Sequence, residues 1–201
     1  MIQSTEGDKL YQVRTLRKDL GVAIVALIAL GLGLLLRTQV ESRTKLFQDQ
    51  SSPFRLAYPA SWGVADSLQD VLLKVEDPRA DSTFKTTLTV ESRELDPASP
   101  PSLQALVDRR VAQRSELTGY HFLTSSETTV AGAKSAQLEY AYVVQPIDAP
   151  RRASLPVVVQ AHEYIVVAKD RIYYIALAAP ENAFADASAR FDQIIQTVQI
   201  Q

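Results

Sequence analysis

The longest uninterrupted hydrophobic stretch of the chain lies near its N-terminus. Residues 20–36 read LGVAIVALIALGLGLLL and carry no polar side chain. At a rise of 1.5 Å per residue, a helix of this length spans roughly 25 Å, which matches a bilayer core when flanking basic residues reach the interface. The pattern therefore predicts one transmembrane helix over 20–36, with residues 1–19 forming a cytoplasmic tail and residues 37–52 a juxtamembrane tether.

Two other interpretations of this stretch are a buried core helix and a cleaved signal peptide. A core helix is usually apolar on one face, whereas this segment is apolar all round. A signal peptide has a shorter apolar run followed by a site of small residues, whereas the polar sequence RTQVESRTK follows here. Basic residues are slightly more numerous before the segment than after it, so we expect a single-pass protein of a bacterial cell membrane with its C-terminal domain on the extracytoplasmic side.

Small residues follow one side of the predicted helix. Ala29 and Gly33 have the small-xxx-small spacing that lets another helix approach closely. The alternative is that alanine and glycine are simply common in such helices. If the spacing is functional, Ala29 and Gly33 contact a membrane protein partner within the bilayer.

From Pro53 onward the pattern becomes that of a globular domain, residues 53–201. Alternating or continuous apolar positions predict seven strands, over 54–58, 71–75, 84–93, 121–130, 134–145, 155–168 and 171–179. Apolar positions at helical spacing predict helices over 102–117 and from about 181 to 198. Because consecutive strands have short connections, the expected fold class is α+β, an antiparallel sheet with helices packed on it.

Two of these elements have well-defined faces. In the strand 84–93, Leu88 and Val90 belong to an apolar face, and Thr87, Thr89 and Glu91 belong to a wet one. In the helix 102–117, Leu106 and Val107 belong to the apolar stripe. Three charged residues of that helix are expected to point outward, namely Asp108, Arg109 and Arg114.

Composition excludes several function classes. The 201 residues carry 21 basic and 23 acidic side chains, and this balance does not favour nucleic-acid binding by bulk charge. Cysteine is absent, which excludes disulfides, thiol catalysis and cysteine-ligated metals. With two histidines and no glycine-rich phosphate loop, the sequence indicates no catalytic residue, no metal site and no cofactor.

The candidates for chemistry in the domain are few. His162 and Glu163 are neighbours on a predicted strand, so their side chains should point to opposite faces. No G-x-S-x-G motif occurs. The acidic stretch 76–81 lacks the spacing of a calcium loop and contains Arg79, so it is interpreted as a solvated turn.

A long segment, residues 146–156, joins two well-predicted strands. Arg151 and Arg152 make it locally basic on a domain that is otherwise acidic. One interpretation is an ordinary surface loop. The other is a contact loop in which Arg151 and Arg152 bind an acidic partner or lipid headgroups.

Several motifs together resemble the PsbP-like family. A strand runs into Tyr58-Pro59-Ala60-Ser61-Trp62, a serine-led helix (SLQALVDRRV) and Gly119-Tyr120 follow, and the chain ends with FDQIIQTV. The resemblance covers about residues 53–201 and implies an α-β-α sandwich around an antiparallel sheet, usually without enzymatic activity. It implies structural roles for Tyr58, Pro59 and Trp62.

These observations favour a non-enzymatic accessory protein, anchored in the membrane, whose domain binds or stabilises a membrane-associated complex. The partners expected are the lipid bilayer and an integral or peripheral membrane protein. A solute-binding or sensing module and a tethered enzyme are the alternatives. A pocket of roughly 300 Å³ or more with convergent polar groups would favour the solute-binding module, and a flat domain with an exposed apolar patch would favour the accessory protein.

Overall fold

The computed structural model describes residues 17–41, 43–49, 53–65, 71–80, 82–96, 98–145 and 155–200. The chain divides into two compact units, Met1–Ser42 and Arg43–Gln201.

The first unit contains one helix, α1, which spans Arg17–Glu41. The large apolar side chains of residues 20–36 are all exposed, with between 49% and 71% of their surface accessible. Ala29 and Gly33 lie within this helix, and a side-chain carbon placed on Gly33 would meet no other atom within 4 Å. Among the helices of the described residues, none has both the length and the apolar character required to cross a membrane.

The second unit is built from two antiparallel sheets and two helices. A two-stranded sheet pairs β1 with β2, and a seven-stranded sheet has the order β3-β4-β5-β9-β8-β7-β6. The strands are β1 (Thr44–Gln48), β2 (Arg55–Pro59), β3 (Gly63–Val64), β4 (Val71–Glu76), β5 (Thr87–Glu94), β6 (His121–Val130), β7 (Ala133–Val144), β8 (Val157–Val167) and β9 (Arg171–Pro180). The helices are α2 (Leu103–Arg114) and α3 (Glu181–Ile195).

The two helices cover opposite faces of the large sheet. Successive residues of β9 alternate between the two cores: Ile172 and Tyr174 pack with α2, whereas Tyr173 and Ile175 pack with α3. This alternation is the period-2 geometry of a strand buried on both sides. The expected architecture of an antiparallel sheet with helices packed on it is therefore confirmed.

The larger core lies between the sheet and α3. Phe191 is fully buried there, beside Phe54 and Leu56 of the segment around β2, and the rings of Phe54 and Tyr173 stack at 4.7 Å. The smaller sheet joins this core through backbone contacts with the end of the chain. Arg55 and Gln199 exchange two backbone hydrogen bonds of 3.0 Å, and the hydroxyl of Thr197 accepts a bond of 2.9 Å from the backbone nitrogen of Ala57.

Local sequence explains where these elements begin and turn. The hydroxyl of Ser102 accepts a hydrogen bond from the nitrogen of Ala105 and caps the start of α2, as helix N-termini require. A two-residue turn, Ala131 and Gly132, connects β6 to β7, and both residues have positive φ angles, of 50° and 79°. A tight turn connects β8 to β9, where the backbone nitrogen of Ala168 donates a hydrogen bond of 2.8 Å to the carbonyl of Arg171.

Two strands were not expected from the sequence. Strand β1 lies within the stretch 37–52, for which a polar tether was expected, and only Phe47 of this strand packs against the core. Strand β3 has only two residues and follows directly after Trp62. Both strands are largely exposed and too short or too polar to carry a period-2 signal.

Candidate functional site

A cluster of four charged side chains lies between α2 and the sheet. It consists of Arg110 and Arg114 from α2, Glu91 from β5 and Glu163 from β8. Arg110 is 4% exposed and the Glu163 side chain is completely buried. Taking charges out of water is costly, so such a cluster persists only when its members neutralise and hydrogen-bond one another.

Arg110 is the centre of the cluster. Its Nε donates a hydrogen bond of 2.6 Å to Glu163, and its Nη1 and Nη2 donate bonds of 3.1 and 3.0 Å to the two carboxylate oxygens of Glu91. Its guanidinium also lies 4.3 Å from the ring centre of Tyr174, a distance typical of a cation–π contact. Every nitrogen of this buried guanidinium therefore has a carboxylate partner.

Glu163 receives further bonds from Arg114 and from the sheet itself. Arg114 approaches it with Nη2 at 3.3 Å and Nε at 3.4 Å, and the hydroxyl of Tyr140 donates to it over 3.2 Å. The expectation that Arg114 points outward is therefore wrong. Arg114 is three-quarters buried because it lies four residues after Arg110, on the same side of α2.

The cluster keeps its ionisation states near neutral pH. Burial alone would raise the pKa of Glu163, but Arg114 and Arg110 reverse this effect and lower it. Burial alone would lower the pKa of Arg110, but the carboxylates of Glu163 and Glu91 raise it. Burial and the charge of Glu163 together raise the pKa of Tyr140, so its hydroxyl keeps its proton.

A cleft of about 410 Å³ opens on the same face of the sheet, beside the C-terminal end of α2. Its floor is formed by cross-strand neighbours, since Thr87 pairs with Ala178 and Thr89 pairs with Ala176. The small alanine side chains leave space above the sheet. The residues lining the cleft are Lys74, Glu76, Thr83, Phe84, Lys85, Thr87, Thr89, Glu91, Arg114, Tyr140, Tyr142, Val144, Ala176 and Ala178.

The cleft and the ion cluster share residues, so they form one site. Glu91, Arg114 and Tyr140 belong to both. Thr87, Thr89 and Glu91, the wet face expected for the strand 84–93, lie along the cleft, while Leu88 and Val90 are fully buried on the other face. The arrangement places a fixed array of charges at one end of an open, partly apolar space.

Solved structures with the same architecture are found at low sequence identity. CyanoP, the cyanobacterial PsbP protein of Synechocystis, superposes with a TM-score of 0.57 at 12% identity, covering 79% of this chain and 92% of CyanoP. LpqN, a protein involved in cell envelope biogenesis of Mycobacterium tuberculosis, has a TM-score of 0.53 at 13% identity, covering 78% of this chain and 90% of LpqN. This chain has a PsbP-like fold.

The PsbP-like fold is shared more widely. The Ran-binding protein Mog1p of Saccharomyces cerevisiae has a TM-score of 0.50 at 10% identity, covering 79% of this chain and 95% of Mog1p. No protein-family model matches the chain, and no curated protein matches it. At such identities the likeness concerns the fold alone, and function has to be argued from the site.

The residues expected to have structural roles in the PsbP-like domain lie in its larger core. Trp62 is 2% exposed and Tyr58 is 6% exposed, and Pro59 is buried at the end of β2. None of the three lines the cleft. Ala29 and Gly33 belong to the first unit, and Arg151 and Arg152 lie outside the described residues.

His162 lies on the opposite face of the PsbP-like domain from Glu163, as the strand pattern predicted. It is 3% exposed, its Nδ1 lies 3.3 Å from the hydroxyl of Ser188, and its ring stacks on Tyr164 at 4.9 Å. Burial lowers the pKa of His162, although Glu139 and Asp192 oppose this effect. Its Nε2 is buried and has no hydrogen-bond partner in the described part of the chain.

The ion cluster was missed in the sequence, although two signals pointed to it. Arg110 occupies a position in the apolar stripe of the helix, between Val107 and Val111. Glu163 interrupts a strand in which most other side chains are apolar. A charged residue at a buried position implies a charged partner, because an unpaired one would be too costly.

Within the described residues, no group of three or more histidine, aspartate or glutamate side chains could hold a metal ion. Three polar groups of the cleft, Glu91, Arg114 and Tyr140, instead lie together where the cleft meets the ion cluster. Such an arrangement suits the binding of a ligand that carries one charged end.

Proposed function

We propose that residues 43–201 form a non-catalytic binding domain that takes its ligand in the cleft beside the ion cluster, and that residues 20–36 attach this domain to a membrane. The observation that carries the proposal is the cleft of about 410 Å³ with Arg114, Tyr140 and Glu91 at one end. Its size and convergent polar groups are those that distinguish a binding module from a flat accessory domain.

Electrostatics support binding rather than catalysis. A general acid or base works best when its pKa lies near the operating pH. In this cluster the pKa of Glu163 is lowered, and those of Arg110 and Tyr140 are raised. Each shift moves the pKa of the group further from pH 7, so near neutral pH the side chains act as fixed charges and hydrogen-bond donors.

Attachment to a membrane is supported by the hydrophobic segment. Residues 20–36 form an apolar run whose large side chains are exposed around the described helix. Exposed apolar surface of this extent calls for a lipid or protein environment. The domain is expected on the extracytoplasmic side, where a membrane-associated protein or a solute supplies the ligand.

Among proteins with the same fold, Mog1p is a Ran-binding protein and LpqN is involved in cell envelope biogenesis. The description of Mog1p agrees with a binding role, and neither description identifies the ligand or the partner of this chain.

The binding proposal is tested by native mass spectrometry of the full chain extracted from its membrane in mild detergent. We expect a ligand adduct that is lost when Ala178→Leu fills the floor of the cleft. Ala112→Leu is the matched control, since Ala112 is exposed on α2 and does not line the cleft. An adduct that persists in Ala178→Leu would show that the cleft is not the binding site.

Attachment is tested separately. The intact mass of the mature protein should include residues 1–40. Protease added to cells whose outer envelope is permeabilised but whose cytoplasmic membrane is intact should digest residues 53–201. A mature chain that begins near residue 40, or a domain protected inside the cell, would contradict the proposed topology.

A further inference from the structure

The charges that line the cleft do not balance. Lys74, Lys85 and Arg114 contribute three positive charges, whereas Glu76 and Glu91 contribute two negative ones. The deeper pair, Arg110 and Glu163, adds no net charge. The cleft therefore carries an excess of about one positive charge, although residues 53–201 as a whole are acidic, with 14 basic and 18 acidic side chains.

Arg114 has a guanidinium nitrogen that no hydrogen bond uses among the described residues. Its Nε and Nη2 are directed to Glu163, while its Nη1 has no hydrogen-bond partner among the described residues. The side chain is 24% exposed and lines the cleft. Arg110 is saturated and Lys74 pairs with Glu76 at 3.3 Å, whereas Lys85 uses one of its three N–H donors in a hydrogen bond to the carbonyl of Ala80 and adds to the positive charge of the cleft.

Other groups of the cleft favour a ligand with an apolar body. Phe84, Val144, Ala176 and Ala178 present apolar surface. Tyr142 lines the same wall as Val144, and burial raises the pKa of its hydroxyl, which therefore remains a donor. The cleft thus offers apolar surface in addition to the guanidinium of Arg114.

We propose that the cleft binds a ligand through a single carboxylate, which accepts hydrogen bonds from Nη1 of Arg114, while the apolar part of the ligand lies against Phe84, Val144 and the two alanines. A hydrogen bond from a guanidinium to a carboxylate is charge-assisted and therefore stronger than one between neutral groups. The excess of one positive charge suits a monoanion, and a second negative charge would meet the carboxylates of Glu76 and Glu91. This inference rests on the proposed function and specifies its ligand class.

Binding can be followed in the full chain in detergent micelles, with carbon-13 in the alanine methyl groups. The methyl groups of Ala176 and Ala178 report on the floor of the cleft. The probes are 3-phenylpropionate as the monocarboxylate, 3-phenylpropanamide as its neutral counterpart and phenyl phosphate as a dianion. We expect 3-phenylpropionate to shift both methyl signals near neutral pH and to bind about tenfold or more tightly than either other probe, since hydrogen bonds to charged groups carry that much discrimination.

Variants test the role of Arg114. Arg114→Gln should weaken the binding of 3-phenylpropionate by about tenfold and leave that of the amide unchanged. Arg109→Gln is the matched control, because it removes the same charge from an exposed position of the same helix that does not line the cleft. The comparison of acid with amide uses the wild-type chain, so it decides the question even if Arg114→Gln fails to fold.

Two further probes distinguish the source of the carboxylate. Acetyl-Ala-Ala-Phe with a free C-terminus represents a protein partner, and the same peptide with an amidated C-terminus is its control. Tighter binding of the free peptide than of 3-phenylpropionate assigns the carboxylate to a polypeptide, and the reverse assigns it to a small organic acid. Either result supports the inference.

The inference is overturned if the amide binds as tightly as the acid, if Arg114→Gln leaves acid binding unchanged, if phenyl phosphate binds more tightly, or if no carboxylate shifts the two methyl signals. None of these results changes the outcome of the native mass spectrometry test, which detects a ligand adduct and its loss in Ala178→Leu. Failure of the ligand class is thereby distinguished from failure of the cleft as a binding site.

Discussion

Nε of Arg110 lies 2.6 Å from Oε1 of Glu163, although 53 residues separate the two in the sequence. The bond joins α2 to the middle of β8 through side chains that are 4% and 0% exposed. Both charges are almost entirely removed from water, so each depends on the other for compensation. Helix α2 is therefore fixed to the sheet at the point where the cleft begins.

Replacing Glu163 tests how much this charge compensation contributes to the stability of the fold. Glu163→Gln keeps the shape of the side chain but leaves Arg110 and Arg114 without their shared buried carboxylate. We expect the free energy of unfolding to fall by about 3–5 kcal/mol, as for other buried pairs that lose one partner. Urea unfolding followed by circular dichroism of the full chain in mild detergent provides the measurement.

A matched variant and a double variant control this prediction. Glu94→Gln removes a carboxylate that is 89% exposed, and it should change stability by less than about 0.5 kcal/mol. Arg110→Met combined with Glu163→Leu removes both charges and should be less destabilising than Glu163→Gln. Equal losses in the exposed and buried variants would contradict the energetic role of the pair.

His162 should make stability depend on pH. Burial lowers its pKa in the folded state, against the opposing charges of Glu139 and Asp192, so the unfolded chain binds a proton more readily. Stability is then complete above about pH 6.5 and falls as the pH decreases towards the lower folded pKa, by at most about 1.4 kcal/mol per pH unit.

The measurement is the free energy of unfolding between about pH 7.5 and 5.5, above the range where carboxylates titrate. His162→Gln should flatten this dependence. His121→Gln, at an exposed position of β6, is the control and should retain it. An unchanged slope in His162→Gln would assign the effect to another group.

Trp62 is expected to be a major contributor to the core between the sheet and α3. It is 2% exposed, so Trp62→Ala should lower the free energy of unfolding by about 3–5 kcal/mol. Its indole nitrogen is buried without a partner among the described residues, so Trp62→Phe should cost less. Chemical unfolding followed by circular dichroism measures both variants, and an indole emission typical of exposed tryptophan in the folded protein would refute the burial.

The turn between β6 and β7 contains a residue that is unfavourable for its backbone conformation. Ala131 has a φ angle of 50°, which a residue with a Cβ adopts at a cost of roughly 1–2 kcal/mol. Asn-Gly is the preferred pair in such turns, so Ala131→Asn should stabilise the fold by about 0.5–1 kcal/mol. Gly132→Ala should destabilise it, and thermal unfolding of the two variants gives the comparison. A gain in Gly132→Ala would show that the turn can change type.

Partner contacts were predicted at two places, in α1 and in the segment 146–156. Ala29→Leu combined with Gly33→Leu should reduce copurification of a membrane partner without affecting insertion or folding of the domain. Arg151→Glu combined with Arg152→Glu should weaken association in a salt-sensitive way. Affinity purification from the native membrane compares both double variants with the wild type, and equal recovery from all three would exclude both surfaces.

Much of the fold could be predicted from the sequence because its strands and helices bury regular apolar patterns. The alternation in β7 and the stripe of α3 each determine one element, and the resemblance around Tyr58 and Trp62 implied the sandwich. The site could not be predicted in the same way. Arg110 and Glu163 interrupt their own patterns, and their pairing depends on a helix and a strand that meet only in three dimensions.

The cleft shows the same limit. The wet face of β5 was apparent from Thr87 and Thr89, but the open space above it depends on Ala176 and Ala178 of β9. An alanine in a strand can lie tightly packed under a helix, or it can leave open space above the sheet. Which of the two occurs here depends on the length of α2, which ends at Arg114.

The contact between β2 and the segment around Gln199 has a consequence for biosynthesis. Ala57 and Thr197 are 140 residues apart in sequence. At about 5–20 residues per second, the ribosome needs roughly 7–28 s to make the later segment after the earlier one. During this interval the core around Phe54 and Leu56 is incomplete because it lacks Phe191 of α3, which leaves time for the nascent domain to be threaded through a narrow channel or held by a chaperone.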